Sequence, residues 1–279
     1  MLTTYKGGGI MWQWFHHPGF SLPVVRRRLG EELLDLLLMT GELLTTQCRS
    51  YMWSRSFPST LAYDGARRRL SKAGLVAYRR GAGKDPVLRL TAEGERVTDD
   101  IFHPERWWQR RWSGAWYLMV YDIPESQRKY RDVLRQFLRR LRMGNLQGSV
   151  WITPRDIRPE YDDLVKAAGI ESYAYLFEAQ TVLGLPVEQV VRSAWPMDLL
   201  EQCQQWYGEN AQRNWDALRL KKMPQRSLWF FAREANRAFR AAMALDPLLP
   251  KALWPDGYRG PEVIAWHRRL LGELSRQLE

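Results

Sequence analysis

The sequence WYLMVYDIPESQRKYRDVLRQFLRRLRMGNLQGSVWITP, which runs from Trp116 to Pro154, decides the fold because strand-like and helix-like patterns alternate in it. Residues 116–123 are rich in aromatic and β-branched side chains and end at Pro124, which is typical of a buried strand. A helix follows, because apolar residues recur every three or four positions and form one stripe that we expect to pack on a sheet. A break at Gly144-Asn145 precedes a second predicted strand at residues 148–153. The apolar stripe consists of Tyr130, Val133, Leu134, Phe137, Leu138 and Leu141.

The segment that follows completes a known order of elements. Residues 160–168 have a helical composition, Gly169 is the predicted stop, and residues 173–177 predict another strand. The order from Trp116 to Ala179 is therefore β-α-β-β-α-β, with one strand poorly defined. This order is the split βαβ, or ferredoxin-like, pattern. We predict such a domain over residues 115–183.

The composition indicates a folded, strongly basic protein. The chain has 279 residues, enough for two or three domains, and a formal net charge of +11 that comes mainly from arginine. Guanidinium groups suit phosphate because their planar fork donates two hydrogen bonds at once. We therefore expect nucleic acid as the main partner. No uninterrupted apolar run is long enough to cross a membrane, so a membrane partner is not expected.

The sequence offers little chemistry for catalysis or for a cofactor. His16 and His17 have no further His or Cys nearby, and Cys48 and Cys203 are far apart, so neither a metal site nor a disulfide is predicted. We find no Ser-His-Asp order, no nucleotide-binding glycine loop and no cluster of carboxylates. The first residues lack the apolar core of a signal peptide, which favours a cytoplasmic location. We expect a protein that is not an enzyme and has no cofactor.

The N-terminal part has the pattern of three helices followed by a hairpin. Apolar spacing predicts helices over residues 22–40, 45–55 and 60–73. Residues 75–78 and 87–90 flank a basic turn and predict two paired strands. This order is that of a winged helix-turn-helix, in which the third helix enters the major groove and the hairpin lies over the DNA backbone.

The third predicted helix presents a polar face that combines guanidinium, hydroxyl and carboxylate groups. Such a face can contact both phosphates and base edges, and the basic tip of the hairpin can contact the backbone. The alternative is a basic surface that faces only solvent. We predict DNA contacts by Thr60, Tyr63, Asp64, Arg67, Arg68 and Ser71 of the helix and by Arg79, Arg80 and Lys84 of the hairpin.

Three stretches resemble a known family. The sequence from Tyr121 to Pro154 resembles both the small CRISPR-associated spacer-acquisition proteins and the middle domain of the PaaX-like regulators, the phenylacetic-acid degradation repressor family. ARRRLSKAGLVAYRRGAGKDPVLRLTAEGE, residues 66–95, is similar to the wing region of the PaaX-like regulators. DPLLPKALWPDGYRGPEVIAWHRRLLGEL, residues 246–274, is similar to their C-terminal signature. Asp64 is a departure, because the family often has an arginine there, and this puts the family's target sequence in doubt for this chain.

The patterns and the resemblance together imply an α+β protein that regulates transcription. The expected protein is a homodimeric, sequence-specific transcriptional regulator, more in keeping with a repressor, that binds double-stranded DNA. The resemblance also implies an acyl-coenzyme A effector that weakens DNA binding, which is phenylacetyl-coenzyme A in the best-known members. The expected segments are an N-terminal arm (1–22), a winged helix (23–97), an aromatic and basic linker (98–114), the ferredoxin-like domain (115–183) and a helical C-terminal domain (184–279).

Two features of the middle domain leave alternatives open. Asp122 ends the first strand at a position where the spacer-acquisition proteins have an aspartate, so a Mg²⁺-dependent nuclease with a site built across a dimer is the alternative function. Its structural alternative is that Asp122 caps the turn before Pro124 or pairs with an arginine of the next helix. That helix also carries an arginine stripe, which is a solvated face, a second nucleic-acid surface or an effector site. The stripe consists of Arg128, Arg131, Arg135, Arg139 and Arg142.

Overall fold

The chain forms two compact units, which we call unit 1 and unit 2. The computed structural model describes residues 12–23, 29–43, 57–80, 86–98, 100–168, 170–180 and 184–278. Unit 1 contains Met1–Phe102, Gln202–Ala244 and Arg259–Glu279, and unit 2 contains His103–Glu201 and Leu245–Tyr258. Each unit is therefore discontinuous in sequence. The boundaries of the five predicted segments stay a prediction.

Unit 1 begins with two helices and a hairpin. Helix α1 spans Leu29–Leu43 and helix α2 spans Thr60–Lys72. The Ser59 hydroxyl caps α2 because it accepts a hydrogen bond from the backbone N–H of Ala62, at 3.1 Å. Strand β1 (Val76–Arg80) pairs antiparallel with β2 (Pro86–Leu90), and the short helix α3 (Ala92–Arg96) follows. The third predicted helix and the hairpin are thus confirmed, whereas the helix predicted at 45–55 lies outside the described residues.

Unit 2 is built on a four-stranded antiparallel sheet whose strands are ordered β4-β5-β3-β6. The chain passes through these strands and two helices as β3-α5-β4-β5-α6-β6, so the predicted β-α-β-β-α-β order is confirmed. The elements of unit 2 are α4 (Glu105–Trp108), β3 (Trp116–Tyr121), α5 (Arg128–Arg140), β4 (Gly144–Gln147), β5 (Val150–Thr153), α6 (Arg158–Ala168), β6 (Ala174–Ala179) and α7 (Val187–Ala194).

The break predicted at Gly144-Asn145 is wrong, because these residues begin strand β4. Gly144 pairs with Ile152 of β5. A Cβ at position 144 would lie 2.6 Å from the Ala194 Cβ and 2.7 Å from the Trp195 ring. The glycine therefore permits a close approach of α7 to the sheet. This strand is the one that the sequence pattern left poorly defined.

The sheet of unit 2 has an apolar core on each face. Tyr117, Met119 and Tyr121 of β3 point to one side, where they join a core with Leu134 and Leu138 of α5. Trp116 and Ile152 belong to the core on the other face, together with side chains of α7. This alternation is what a strand period of two requires when both faces are covered.

The remaining helices are long. They are α8 (Met197–Leu220), α9 (Gln225–Met243) and α10 (Gly260–Leu278). The helical character predicted for the C-terminal region is confirmed. Helix α7 ends at Ala194 and α8 begins at Met197, so the two helices are separated at Pro196. No helix in the described part of the chain is long and apolar enough to cross a membrane.

Buried ion pairs join α1 to α9 within unit 1. The Glu32 carboxylate accepts hydrogen bonds from Arg233 at 2.7 and 2.8 Å and from Arg237 at 2.8 Å, and Asp35 pairs with Arg240. Burial alone would raise the pKa of Glu32, but the hydrogen bonds and charges of the two arginines outweigh burial and lower it. A paired charge at this depth is expensive to break, because removing one partner leaves the other charge buried.

Candidate nucleic-acid interface

One side of α2 belongs to the core of unit 1. Ala66 is fully buried, Leu70 is buried, and Tyr63 is only 3% exposed, with its ring centroid 5.4 Å from that of Phe57. Tyr63 is among the predicted DNA contacts, but its position makes it part of the core, so it is not included in the contact surface proposed below. Ala73, which follows the last residue of α2, is exposed.

The other side of α2 carries the remaining predicted contacts. Thr60, Arg68 and Ser71 are exposed, and Asp64 and Arg67 are half-buried. These side chains lie along one helical face at spacings of three and four residues, so they can face a common partner.

Arg67 on this face makes contacts that link α2 to the hairpin of unit 1. Its guanidinium lies 3.4 Å from the Asp64 carboxylate and donates a hydrogen bond to the Tyr78 hydroxyl of β1. The guanidinium carbon is also 5.3 Å from the centre of the Tyr78 ring. Arg67 therefore ties α2 to the hairpin, and Asp64 partly neutralises it.

Two exposed cations on α2 were not among the predicted contacts. Arg69 and Lys72 are both exposed, and they extend the basic surface beside Arg68 toward the end of the helix. The run Arg67-Arg68-Arg69 was the available signal, because three consecutive arginines on a helix cannot all be buried.

The hairpin adds basic residues near α2. Arg79 and Arg80 end β1, where they pair with Val87 and Pro86 of β2. Lys84 lies outside the described residues, so a backbone contact from the hairpin tip stays a prediction. Arg89 of β2 is exposed, and in the register it lies opposite Ala77 on the outward side of the hairpin. Arg89 is therefore a further exposed cation beside the predicted contacts.

The arginine stripe of α5 divides into exposed and engaged members. Arg128 and Arg139 are exposed. Arg131 forms an ion pair with Glu125, with 2.7 Å between Nη2 and Oε2. These three residues do not share one environment, although they lie on one side of the helix.

The other two members of the stripe have structural contacts. Arg135 Nε donates a hydrogen bond to the Tyr121 hydroxyl at 3.0 Å. Arg142 lies beyond the end of α5 with a φ of 57°, and its guanidinium donates to the carbonyl of Asp246 at 2.6 Å. An arginine with such contacts is less available to DNA or to an effector than sequence spacing implies.

The buried face of α5 is rotated away from the centre of the predicted apolar stripe. Leu134 and Leu138 are buried, but Tyr130 and Val133 are each 61% exposed. The expectation that the whole apolar stripe packs on the sheet is therefore wrong for its first turns. The rotation brings Arg131 to a half-buried position, where it pairs with the Glu125 carboxylate. Arg135, on the same side of the helix, donates to the Tyr121 hydroxyl.

Asp122 lies at the exposed end of β3. Its backbone N–H donates to the carbonyl of Tyr173 at 2.8 Å. The ion pair beside it is formed by Glu125 with Arg131 and does not involve Asp122. Among the described residues, no three His, Cys, Asp or Glu side chains come together as a metal site would require.

The fold and these surfaces can be compared with known proteins. Residues 109–191 match the family model of the PaaX protein central Cas2-like domain. This range contains all of β3 to β6, so the Cas2-like domain includes the whole sheet of unit 2. The predicted resemblance of the middle domain to that of the PaaX-like regulators is confirmed over these residues.

A solved structure is similar over most of the chain. It is the uncharacterized protein Rv0674 from Mycobacterium tuberculosis, with a TM-score of 0.53 and 17% sequence identity. The similarity covers 88% of this chain and 95% of that chain. At this identity the comparison supports the fold alone. The search of curated proteins gave no match.

Proposed function

We propose that the protein is a PaaX-like transcriptional repressor that binds double-stranded DNA sequence-specifically. In this proposal it acts in the cytoplasm as a homodimer, and a small anionic effector such as an acyl-coenzyme A releases it from the operator. The observation that carries the proposal is the exposed basic face of α2, which is attached to an antiparallel hairpin in a chain with a PaaX-type central domain.

The arrangement of α1, α2, β1 and β2 supports a winged helix-turn-helix. α1 contacts both α2 and β2, and α2 also contacts β1, so these elements form one small module. In a winged helix the helix that precedes the hairpin enters the major groove. That helix is α2, and its exposed face carries guanidinium, ammonium and hydroxyl groups.

The contacts of α2 divide the proposed roles among its arginines. Arg67 is held by Asp64 and Tyr78, so we assign it the role of positioning the hairpin relative to α2. Arg68 and Arg69 are exposed and can reach bases or phosphates. Phosphate contacts would give an affinity that falls steeply with salt, and base contacts would give sequence preference.

An exposed strand edge supports the proposed homodimer. β6 is an edge strand of the sheet in unit 2, and its Tyr175 and Phe177 are 55% and 53% exposed. An exposed edge with aromatic side chains is a surface that proteins normally cover. A second copy of the chain is the occupant that we propose, because most DNA operators have two-fold symmetry.

Selection of DNA by the intact protein tests this function. A pool of random-sequence duplexes would be passed over the protein, and the enriched duplex would be compared with a scrambled duplex of equal composition. We expect enrichment of a sequence with two related half-sites and binding to it that is at least a hundredfold tighter. If no sequence is enriched, the protein does not read DNA sequence and the proposed function fails.

The nuclease alternative is tested with the same duplexes. Asp122 is exposed at a strand end of a Cas2-like domain, and a dimer could bring two such carboxylates together. Incubation of the parent with DNA and RNA in the presence of Mg²⁺ or Mn²⁺ should leave the nucleic acid intact. Metal-dependent cleavage that is lost in Asp122→Ala would replace the repressor with the nuclease.

A further inference from the structure

A groove in unit 2 combines tryptophan side chains with cations. It lies between the segment that contains α4 and the short helical turn Lys251–Leu253, and its volume is about 660 Å³. This volume is in the range of small-molecule sites in proteins. Among the described residues that line the groove, none is an arginine of the stripe Arg128, Arg131, Arg135, Arg139 and Arg142. The aromatic and basic side chains of its lining are Trp108, Trp112, Trp254, Arg110, Arg111 and Lys251.

The indole rings of the groove are held in fixed orientations. Trp112 Nε1 donates to the carbonyl of Ala115 at 2.8 Å, and Trp254 Nε1 donates to the carbonyl of Leu249 at 2.9 Å. The Trp254 ring also meets the Trp108 ring edge-on, with 5.5 Å between the centroids. Because the N–H groups of Trp112 and Trp254 are already used, these indoles can offer a ligand only apolar and π surface.

The cations of the groove remain available to an anion. Arg111 and Lys251 are exposed, and the structure shows no ion pair for either of them among the residues that it describes. Arg110 is exposed and its guanidinium carbon lies 4.0 Å from the centre of the Trp107 ring. Among the described residues of the lining, one carboxylate, Glu105, stands against three cations. The lining is therefore net positive.

This combination defines the chemistry of a ligand. A flat apolar group would stack on the fixed indoles, and burial of its surface would drive binding. A carboxylate or phosphate attached to it would pair with Arg111 and Lys251. A neutral aromatic molecule would leave the cations unused, and a simple anion would leave the indoles exposed.

We propose that this groove binds a small molecule in which a flat apolar group carries a carboxylate or phosphate. The claim that the groove binds such a ligand is argued from its geometry alone. The further claim that this ligand is the effector of a repressor rests on the function proposed above. Free aryl carboxylates and aryl thioesters of coenzyme A share this chemistry. The adenine nucleotide of coenzyme A also combines a flat ring with phosphate groups, so it is a third candidate for the bound group.

Calorimetric titration of the full chain with three probes distinguishes these sources. The probes are phenylacetate, phenylacetyl-coenzyme A and coenzyme A alone. We expect at least one of them to bind the parent with one site per chain. Tighter binding of the thioester than of coenzyme A would identify the aryl group as the stacked part, and equal binding would identify the nucleotide.

Two variants test the site by independent means. Arg111→Glu/Lys251→Glu reverses two exposed charges and should weaken binding of the best probe at least tenfold. Ala252→Trp fills the groove from an exposed position of its lining and should have a similar effect without changing a charge. Arg106→Glu is the matched control, because Arg106 is an exposed cation of α4 that does not line the groove. It should bind the probe as the parent does.

The outcomes separate this inference from the proposed function. The inference is overturned if none of the three probes binds the parent, or if both groove variants bind as tightly as the parent. Probe binding that is lost in the groove variants would confirm the site even if DNA selection enriches no sequence. If the protein binds a selected DNA sequence but none of the probes, the proposed repressor function stands and the groove is not its effector site.

Discussion

At the scale of single residues, a buried histidine makes the stability of unit 1 depend on pH. His267 lies in the core of unit 1, where its Nδ1 is 2.7 Å from the Tyr207 hydroxyl and its ring stacks on Phe239. Burial, and then the charge of Arg268, lowers the pKa of His267 from 6.5 to about 3. The imidazole therefore stays neutral in the folded protein over the physiological range.

This shift predicts a loss of stability on mild acidification. Because the pKa of His267 is lower in the folded chain, its contribution is complete above about pH 6.5 and is lost progressively as the pH falls toward about 3. The slope should be up to about 1.4 kcal/mol per pH unit. Glu32, whose pKa is also lowered in the folded chain, adds a loss of stability only below about pH 4.5, the ordinary pKa of a glutamate. Urea unfolding of the parent and of His267→Phe between pH 4.5 and 6.5 measures the effect.

The control for this experiment is another histidine. His267→Phe should be less stable at neutral pH, because the Tyr207 hydroxyl loses its partner, but its stability should depend less on pH. His16→Gln, at an exposed position, should keep the slope of the parent. If the free energy of unfolding falls equally steeply with pH in the parent and in His267→Phe, the lowered pKa of His267 is not the cause.

At the scale of elements, the sheet of unit 2 depends on one glycine. A Cβ at position 144 would come within 2.8 Å of both Ala194 and the Trp195 ring, and neither can move freely because both belong to an apolar core. Gly144→Ala should therefore lower the free energy of unfolding by about 1–3 kcal/mol, as overpacking does. Thermal or urea unfolding of the full chain gives the value.

Gly272 provides the comparison for this substitution. It is an exposed glycine of α10, and nothing lies within 4 Å of an added Cβ. Gly272→Ala should be neutral or stabilising, by up to about 1 kcal/mol, because alanine is the better helix former. A Gly144→Ala variant as stable as the parent would mean that α7 does not pack closely on β4.

The elements differ in how far their sequence could predict them. β3 and α5 have strong apolar patterns and form where the sequence indicated. β4 was missed because its sequence GNLQ reads as a turn, and its pairing depends on contacts with α7 that no local pattern contains. The arginine stripe of α5 was visible as a helical period, but the engagement of Arg131 and Arg135 depends on the tertiary positions of Glu125 and Tyr121.

At the scale of the whole molecule, the chain combines a basic N-terminal module with a PaaX-type central domain. The high positive charge alone indicated a nucleic-acid partner. Which arginines are exposed could not be predicted, because many of them take part in buried or internal pairs. Arg233 and Arg240 are examples in unit 1. The cations left exposed on α2, including Arg69 and Lys72, are therefore more informative about function than the net charge of +11.

The central claim is that α2 reads DNA sequence, and the ratio of affinities for the selected and scrambled duplexes, measured over a range of salt concentrations, tests it most directly. The variants are Arg68→Ala/Arg69→Ala on α2 and, as the matched control, Arg128→Ala/Arg139→Ala, which removes the two exposed arginines of the α5 stripe. The α2 variant should lose most of this ratio, at a cost of about 1–3 kcal/mol for each base contact removed.

The control variant should keep the ratio of the parent, and a shallower salt dependence in it would identify α5 as a second, non-specific surface. If the α2 variant discriminates the selected from the scrambled duplex as well as the parent does, α2 is not the reading helix and the account is wrong.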